Sequence, residues 1–458
     1  MRDRKLMDAR TKVRAYVLNQ ISARTEVRAY VLSACVTSAA ICAIALLSVA
    51  PAAAEPGAAG AVTSVATLRE RASARVGATA RVTLSAADAQ ALSPALRLDA
   101  PDTPSYVRGL SALPHAQPQM AELVHAILYR GALATEVKAA MGLRMSQING
   151  SPYVAAHAIR ALKASDRGTA LLAALEGNRL ASLKEDDRLA LTYAEHLTGN
   201  VHGVTDEEFA RTSAVYNDGE VVELTLTVAF FNYFTRYAEA VRLPVEPWAL
   251  DTAGPPPSPG LPRGARARVA LISDDEMAAT AALSAAAKDQ AAQRTGLGLG
   301  VANSQRAMMR APALALPWRA YGSAVRSQAT IDRNIQLQVS FAVSNLNGCR
   351  YCTLHQVLGL RRLGIDPAKL VAMKKDDGTL TAREKTAVLF ARKLTATPSA
   401  ITDDDYAALA TEFGNTGALE VVLQTCAFAF MNRFTDGLLL PSEDEAIRVY
   451  QETYGTSW

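Results

Sequence analysis

The sequence predicts an all-α fold, built from two tandem helical bundle domains that are related by an internal duplication. Alanine dominates the composition, and Leu, Arg, Glu and Met fill much of the rest, which favours helix over strand. In several segments the apolar residues recur every three or four positions, the period of one helix face. The two halves of the chain also repeat the same short motifs in the same order.

Residues 1–54 are typical of an export signal. They hold eight Lys or Arg and three Asp or Glu, and the net charge of the whole chain is +4. The residues after 54 are therefore close to neutral, which argues against nucleic-acid binding. A basic stretch up to Arg28 precedes an apolar run from Val31 to Ala50, which ends at Pro51 and the small residues Ala52–Ala54. Cleavage there predicts a periplasmic or extracellular protein. The alternative is an uncleaved membrane anchor through residues 31–50, since about 20 apolar residues can span a bilayer.

The rest of the chain divides at one strong break. Residues 55–75, which begin with an Ala/Gly-rich stretch, are predicted to be a flexible tether, and an N-terminal domain follows over 76–252. The Pro/Gly run from Gly254 to Gly260 cannot be crossed by a helix, so 253–262 is predicted to be a linker. A C-terminal domain then occupies 263–458.

The repeat is clearest in one 13-residue segment of each half. Met145–His157 (MSQINGSPYVAAH) and Val343–His355 (VSNLNGCRYCTLH) share Ser, Asn-Gly, Tyr and His in register. Later matches keep the same order, and they pair Glu220-Val221-Val222 with Glu420-Val421-Val422, and Asn232 and Thr235 with Asn432 and Thr435. This conservation of order and spacing predicts two similar bundles.

Helices and turns can be predicted within these halves. Helical spacing of apolar residues covers 120–130, 335–346, 382–394 and 418–430. Turns are predicted at Asn149-Gly150, Asn347-Gly348 and 376–378. Thr381 followed by Glu384 predicts a helix start with a reciprocal cap.

Cys349 and Cys352 are the residues best suited to chemistry. Two of the five cysteines, Cys35 and Cys42, lie in the export segment, and the three that remain are too few for a disulfide framework. The Asn-Gly turn predicts that Cys349 opens a helix that runs to about Leu363. In a first helical turn the free N–H groups favour the thiolate, so we expect a pKa below that of free cysteine. Two thiols three residues apart can close a disulfide, as in dithiol oxidoreductases.

His355 is the predicted proton carrier for this pair. At about 100° per residue it lies roughly 60° around the helix from Cys352 and roughly 120° from Cys349, so it can serve Cys352 more readily. Zinc binding is a weaker alternative, because only His355 and the distant Cys426 could add ligands. An inert structural pair is the other alternative. We predict no metal and no organic cofactor, a packing role for His157, and a buried, unreactive Cys426.

The motif Asn347-Gly348-Cys349-x-Tyr351-Cys352-x-x-His355, with Gly364 and Asn432-Arg433 further on, resembles the carboxymuconolactone decarboxylase and alkylhydroperoxidase D-like superfamily. The resemblance implies an all-α fold that assembles as a homo-oligomer. It also implies hydroperoxide reduction, in which the position of Cys352 attacks and that of Cys349 resolves, while a histidine and a glutamate relay protons.

The match to this superfamily is partial. Gln356 stands where the family histidine is usual, so His355 is one residue early. Leu337 stands where the family glutamate is usual, and the flanking Gln336 and Gln338 cannot act as bases. In the first half Ser151 and Val154 replace both cysteines, so that half is predicted to be a degenerate copy.

These observations predict an exported thiol-disulfide oxidoreductase or hydroperoxide reductase, a peroxidase of antioxidant type. Cys349, Cys352 and His355 would be its catalytic residues. The substrate would be a hydroperoxide or a disulfide, and a thiol protein or small thiol would return the electrons. A decarboxylase-like lyase and a non-catalytic oligomeric scaffold with a vestigial site are the alternatives.

Overall fold

The computed structural model describes residues 62–86, 100–260, 302–375, 379–456 and 458. The predicted export segment, the start of the tether and the turn at 376–378 lie outside the described residues. Among the residues that are described, no helix is long and apolar enough to cross a membrane.

The described part of the chain is all-α, as predicted, and its extended pairing is limited to one bridge between Val76 and Val245. The first half contributes ten α-helices: α1 Val65–Ala74, α2 Ser105–Arg108, α3 Gln117–Tyr129, α4 Thr135–Asn149, α5 Pro152–Leu162, α6 Asp166–Glu176, α7 Glu185–Gly199, α8 Asp206–Val215, α9 Asp218–Ala240 and α10 Pro247–Asp251. The second half contributes eight: α11 Asn303–Met308, α12 Pro312–Arg326, α13 Arg333–Leu346, α14 Arg350–Arg362, α15 Pro367–Lys375, α16 Ala382–Ala396, α17 Asp403–Gly437 and α18 Asp444–Tyr454.

The predicted flexible tether is wrong over its second part. Helix α1 occupies Val65–Ala74, with the Ser64 side chain accepting a hydrogen bond from the Thr67 N–H as its cap. Its apolar positions Val65, Leu68 and Ala72 are buried and pack against α5. The spacing of three and four residues brings them to one face, which explains why this segment folds onto the bundle.

The predicted local signals are confirmed elsewhere. Thr381 caps α16 and Glu384 completes the reciprocal cap. The segment Gly254–Gly260 is not helical, and its backbone is tied to the first half by hydrogen bonds such as Gly254 N–H to Arg160 C=O (2.7 Å).

Helices α9 and α17 lie side by side at the centre of the molecule. Nearly every residue of α9 is buried, and so are most residues of α17 after Gly414, where a non-helical backbone kinks the helix. A helix that is apolar on all sides needs partners all round. For this reason residues of both halves share one continuous core within a single compact unit, whereas the sequence suggested a compact bundle for each half.

Two buried arginines join the halves in a reciprocal way. Arg236 of α9 donates to the Thr395 carbonyl at the end of α16 (3.1 Å). Arg433 of α17 donates to the Thr198 carbonyl at the end of α7 (3.0 Å). Each cation therefore lies at the negative C-terminal end of a helix from the other half.

Candidate functional site

The turn before α14 positions the cysteine pair. Gly348 has φ +70°, a left-handed conformation that glycine adopts without strain. Asn347 Nδ2 donates to Asn432 Oδ1 (2.8 Å), which ties this turn to the central helix α17. Cys349 is the N-cap residue of α14, and its sulfur accepts the Cys352 N–H at 3.3 Å. The three-residue spacing thus places one thiol at the cap and the other in the first turn.

Both thiols converge on one hydroxyl group. Thr435 Oγ1 lies 3.3 Å from Cys349 Sγ and 3.4 Å from Cys352 Sγ. The two cysteines are free thiols and buried, with 0% and 3% of their surface exposed. Since Thr435 Oγ1 also reaches the Met431 carbonyl (2.9 Å), its proton can go to that carbonyl or turn to a sulfur.

The expectation of a lowered pKa is wrong for Cys349. Burial raises the pKa of this thiol well above that of free cysteine, and the neighbouring Cys352 and Asp436 raise it further. Only the contact with Thr435 acts in the opposite direction. A helix N-terminus favours a thiolate, but here the cost of removing charge from water is larger.

Asp436 is a candidate functional residue that sequence reasoning missed. Its side chain is buried, and burial raises its pKa to about 6, although His202, Cys349 and Arg433 oppose that shift. Its Oδ2 has no hydrogen-bond partner among the described residues. The available signal was that Asp436 directly follows Thr435, while the matching position of the first half is Arg236.

His355 is not directed at either thiol. Its Nδ1 lies 2.6 Å from the Tyr351 carbonyl, its Nε2 lies 2.6 Å from Glu443 Oε2, and its ring stacks on Tyr351 with centroids 4.2 Å apart. Both ring nitrogens therefore lie beside oxygen atoms of the same half. Burial alone would raise the pKa of Glu443, but the His355 contact, together with the backbone N–H groups of Asn303 and Glu443, lowers that pKa to about 2.

Glu443 and Tyr351 also hold the start of a short helix. Glu443 Oε1 accepts the Asn303 N–H (3.0 Å) and the Tyr351 hydroxyl (3.1 Å). The Tyr351 oxygen accepts the Ser304 N–H (3.4 Å). These contacts fix α11 against α14.

The first half contains the same arrangement without any cysteine. His157 Nε2 lies 3.0 Å from Glu246 Oε2, and Glu246 Oε1 accepts the Tyr153 hydroxyl at 3.0 Å. Glu246 accepts the Ser105 N–H, and the Tyr153 oxygen accepts the Tyr106 N–H (3.1 Å), at the start of α2. Because the Tyr-His-Glu set occurs in a half that lacks thiols, its shared role is to anchor helices, which agrees with the packing role predicted for His157.

At the positions of the cysteines the first half carries other groups. Ser151 Oγ donates to Glu239 Oε1 (2.8 Å), and Glu239 is paired with Arg75. Val154 is buried in the apolar core. Among the described residues, only Cys349 and Cys352 therefore form a pair of neighbouring thiols. Cys426, the third described cysteine, is fully buried at a distant point of α17, and burial raises its pKa.

One residue of the first half reaches the cysteine turn. His202 Nε2 lies 3.0 Å from the Gly348 carbonyl, and its charge favours the ionised form of Asp436. Gly150, which matches Gly348 in the first half, lies against Ser399 of the second half. The cysteine site is thus completed by the half that has no cysteines.

No carboxylate comes from the helix where the superfamily usually has one. Leu337 belongs to an apolar cluster with Leu354 and Val357, and Gln338 Nε2 donates to Glu384 Oε1 at 2.6 Å. The acid beside the thiols comes instead from α17.

Comparison with models of protein families and with curated proteins gave no match. The superfamily assignment therefore stays a prediction that depends on the motif around Cys349.

Proposed function

We propose that this protein is a dithiol oxidoreductase that reduces hydroperoxides, with Cys349 and Cys352 as the redox pair. The observation that carries the proposal is the convergence of two free thiols on Thr435, beside the buried carboxyl group of Asp436. A carboxyl group with a pKa of about 6 can accept and return a proton near neutral pH.

The first step oxidises Cys352. Its thiolate attacks the outer oxygen of the hydroperoxide, the O–O bond breaks, and the thiol proton goes to the alkoxide, which leaves as an alcohol. Cys352 becomes a sulfenic acid. The choice of Cys352 follows the superfamily resemblance.

The second step closes a disulfide. The Cys349 sulfur displaces hydroxide from the Cys352 sulfenic acid, and its thiol proton passes to Asp436 and then joins the hydroxide as water. Asp436 lies beside Cys349, so it takes the role that the superfamily gives to a histidine and a glutamate. A reducing dithiol, from a protein or a small molecule, then attacks the disulfide, restores both thiols and leaves as its own disulfide.

Catalysis requires that side chains move aside. Phe428, Met431 and Leu440 are partly buried and pack against the cluster formed by Cys349, Tyr351 and Cys352. Met is unbranched and adapts its shape easily, which suits a residue at an entrance.

A vestigial site in a non-catalytic scaffold is the second candidate. The observation that favours it is the raised pKa of the Cys349 thiol, since reactive cysteines usually have lowered values. Export and assembly into a homo-oligomer remain predictions from the sequence under either candidate.

Counting free thiols after exposure to a hydroperoxide separates the two candidates. In the wild type we expect two thiols to be lost and an internal Cys349–Cys352 disulfide to be found by peptide mass spectrometry. Cys349→Ser and Cys352→Ser should form no such disulfide. Cys426→Ala is the matched control, and it should still lose two thiols. If Cys349 and Cys352 stay reduced under excess hydroperoxide while the circular dichroism is native, the redox proposal is wrong.

A further inference from the structure

A cavity of about 260 Å³ shares two of its lining residues, Phe428 and Met431, with the apolar packing around Cys349, Tyr351 and Cys352. Its walls come from α11, α12, α13, α17 and Tyr233 of α9. This volume equals that of roughly nine water molecules, so it can hold a small organic molecule as well as an ion.

Three arginines line this cavity, and none of its described lining residues is acidic. Arg319 is buried, with 6% of its surface exposed, while Arg326 and Arg333 keep contact with solvent. Neither Arg326 nor Arg333 forms an ion pair with a described residue, and Arg333 Nη1 donates to the neutral Gln336 side chain (2.9 Å).

Much of the remaining lining is apolar and aromatic. Trp318, Tyr321 and Phe428 contribute ring surface, and Met431 adds a flexible thioether. A cavity that combines guanidinium groups with rings suits a molecule that has both an anionic group and an apolar body.

The cavity leads to the thiols along one face of α17. Gln424, Phe428 and Met431 line it and are spaced by four and three residues. The next residue on that face is Thr435, four positions further on, whose hydroxyl contacts both sulfurs. Phe428 and Met431 pack against the cluster of Cys349, Tyr351 and Cys352, and they also line the cavity. The same two side chains therefore connect the cavity with the cysteine cluster.

We infer that this cavity binds a small organic carboxylate, with the carboxylate at Arg326 and Arg333 and the apolar body toward Met431. The inference deepens the proposed function, because it makes anionic organic hydroperoxides the substrate class that reaches the thiols.

Binding can be measured without any turnover. Octanoate and 1-octanol have apolar chains of similar length and differ in charge, and calorimetric titration of the full chain gives both affinities. We expect octanoate to bind roughly tenfold more tightly than octanol, as expected for a charge-assisted contact. The double variant Arg326→Gln/Arg333→Gln should lose this difference while its affinity for octanol stays within about twofold of the wild type.

Arg448→Gln is the matched control, because Arg448 is an exposed cation of the same half that pairs with Glu452 away from the cavity. It should bind octanoate like the wild type. Three results would each overturn the inference. Octanoate and octanol could bind equally, octanoate could fail to bind, or Arg448→Gln could lose as much affinity for octanoate as the double variant does.

Access to the thiols provides the second readout. Saturating octanoate should slow the alkylation of Cys349 and Cys352 by iodoacetamide in the wild type and have no effect in the double variant. Octanoate binding without this protection would show that the cavity does not lead to the dithiol, which also overturns the inference. If binding and protection are both found but hydroperoxides fail to oxidise the thiols, the cavity assignment stands and the proposed redox function is the part that fails.

Discussion

Thr435 and Asp436 are the polar side chains that α17 brings to the cysteine pair. The sequence shows Thr435 as one member of a repeated motif, but it does not show that this residue contacts Cys349, which is 86 positions away. The contact depends on the packing of α14 against α17, and that packing is not encoded locally. The burial of the thiols is equally non-local, which explains why the helix position alone predicted the wrong direction for the pKa of Cys349.

Replacing Asp436 by Asn should slow disulfide formation and change its dependence on pH. In the wild type the rate at which the sulfenic acid is resolved should rise as Asp436 ionises, through a pKa of about 6. In Asp436→Asn this step near pH 6 should be absent and the rate at pH 7 lower by about a hundredfold, the usual contribution of a general base. Stopped-flow measurement of disulfide closure between pH 5 and 8 checks both expectations.

The same substitution should alter how stability depends on pH. The folded pKa of Asp436 lies above its ordinary value of 3.8, so the protonated group stabilises the fold, and this contribution is lost as pH rises through about 6. The difference in free energy of unfolding, wild type minus Asp436→Asn, should therefore fall between pH 4 and 7. Asp404→Asn, an exposed change in the first turn of the same helix, is the control and should show no such fall. If the rate of disulfide closure in Asp436→Asn still rises through a step near pH 6, another group acts as the base.

At the scale of helices, the sequence was sufficient to predict each helix start or turn that depends only on neighbouring residues. The reciprocal cap at Thr381 and the turn at Gly348 were predicted in this way. Helix α1 was missed because the Ala/Gly-rich residues before it obscured the spacing of Val65, Leu68 and Ala72. The role of His355 could not be predicted from its angle on α14, because its partner Glu443 arrives from a distant part of the chain.

Substituting the histidine of each Tyr-His-Glu set should reveal a structural role. His355→Gln and His157→Gln should each lower the free energy of unfolding by roughly 1–3 kcal/mol, because the first leaves the half-buried Glu443 and the second the buried Glu246 with fewer partners. Disulfide closure in His355→Gln should stay within about threefold of the wild type, as expected for a group that transfers no proton. Chemical denaturation and stopped-flow measurements test the two effects.

The two substitutions serve as controls for each other, because His157 makes the same contacts in the half that lacks thiols. If His355→Gln slows disulfide closure strongly while His157→Gln does not, then His355 takes part in proton transfer, as the sequence first suggested.

At the scale of the whole molecule, the halves depend on each other for burial. Helices α9 and α17 cover one another, Tyr233 and Tyr321 hydrogen-bond across the halves (2.6 Å), and α12 packs on α3. The sequence predicted a repeat and a break at Gly254–Gly260, and both led to the expectation of two bundles. It could not show that the apolar faces of those bundles meet each other.

Cutting the chain in the linker should leave a stable complex. A protease site inserted between Pro256 and Pro257, in a segment without helix, should give two fragments that elute together in size-exclusion chromatography. They should separate only in denaturant, because separation would expose the two central helices to water. Fragments that elute apart in native buffer while each keeps its helical signal would show that the halves are independent domains.

The contact between His202 and the Gly348 carbonyl has a consequence for dilute protein. A site that is completed by a second subunit falls apart when the subunit concentration drops below the dissociation constant. Here both sides of the contact are joined by one chain, so their effective concentration is set by the fold and does not change with the amount of protein. The cysteine turn therefore keeps its histidine neighbour however sparse the molecule becomes.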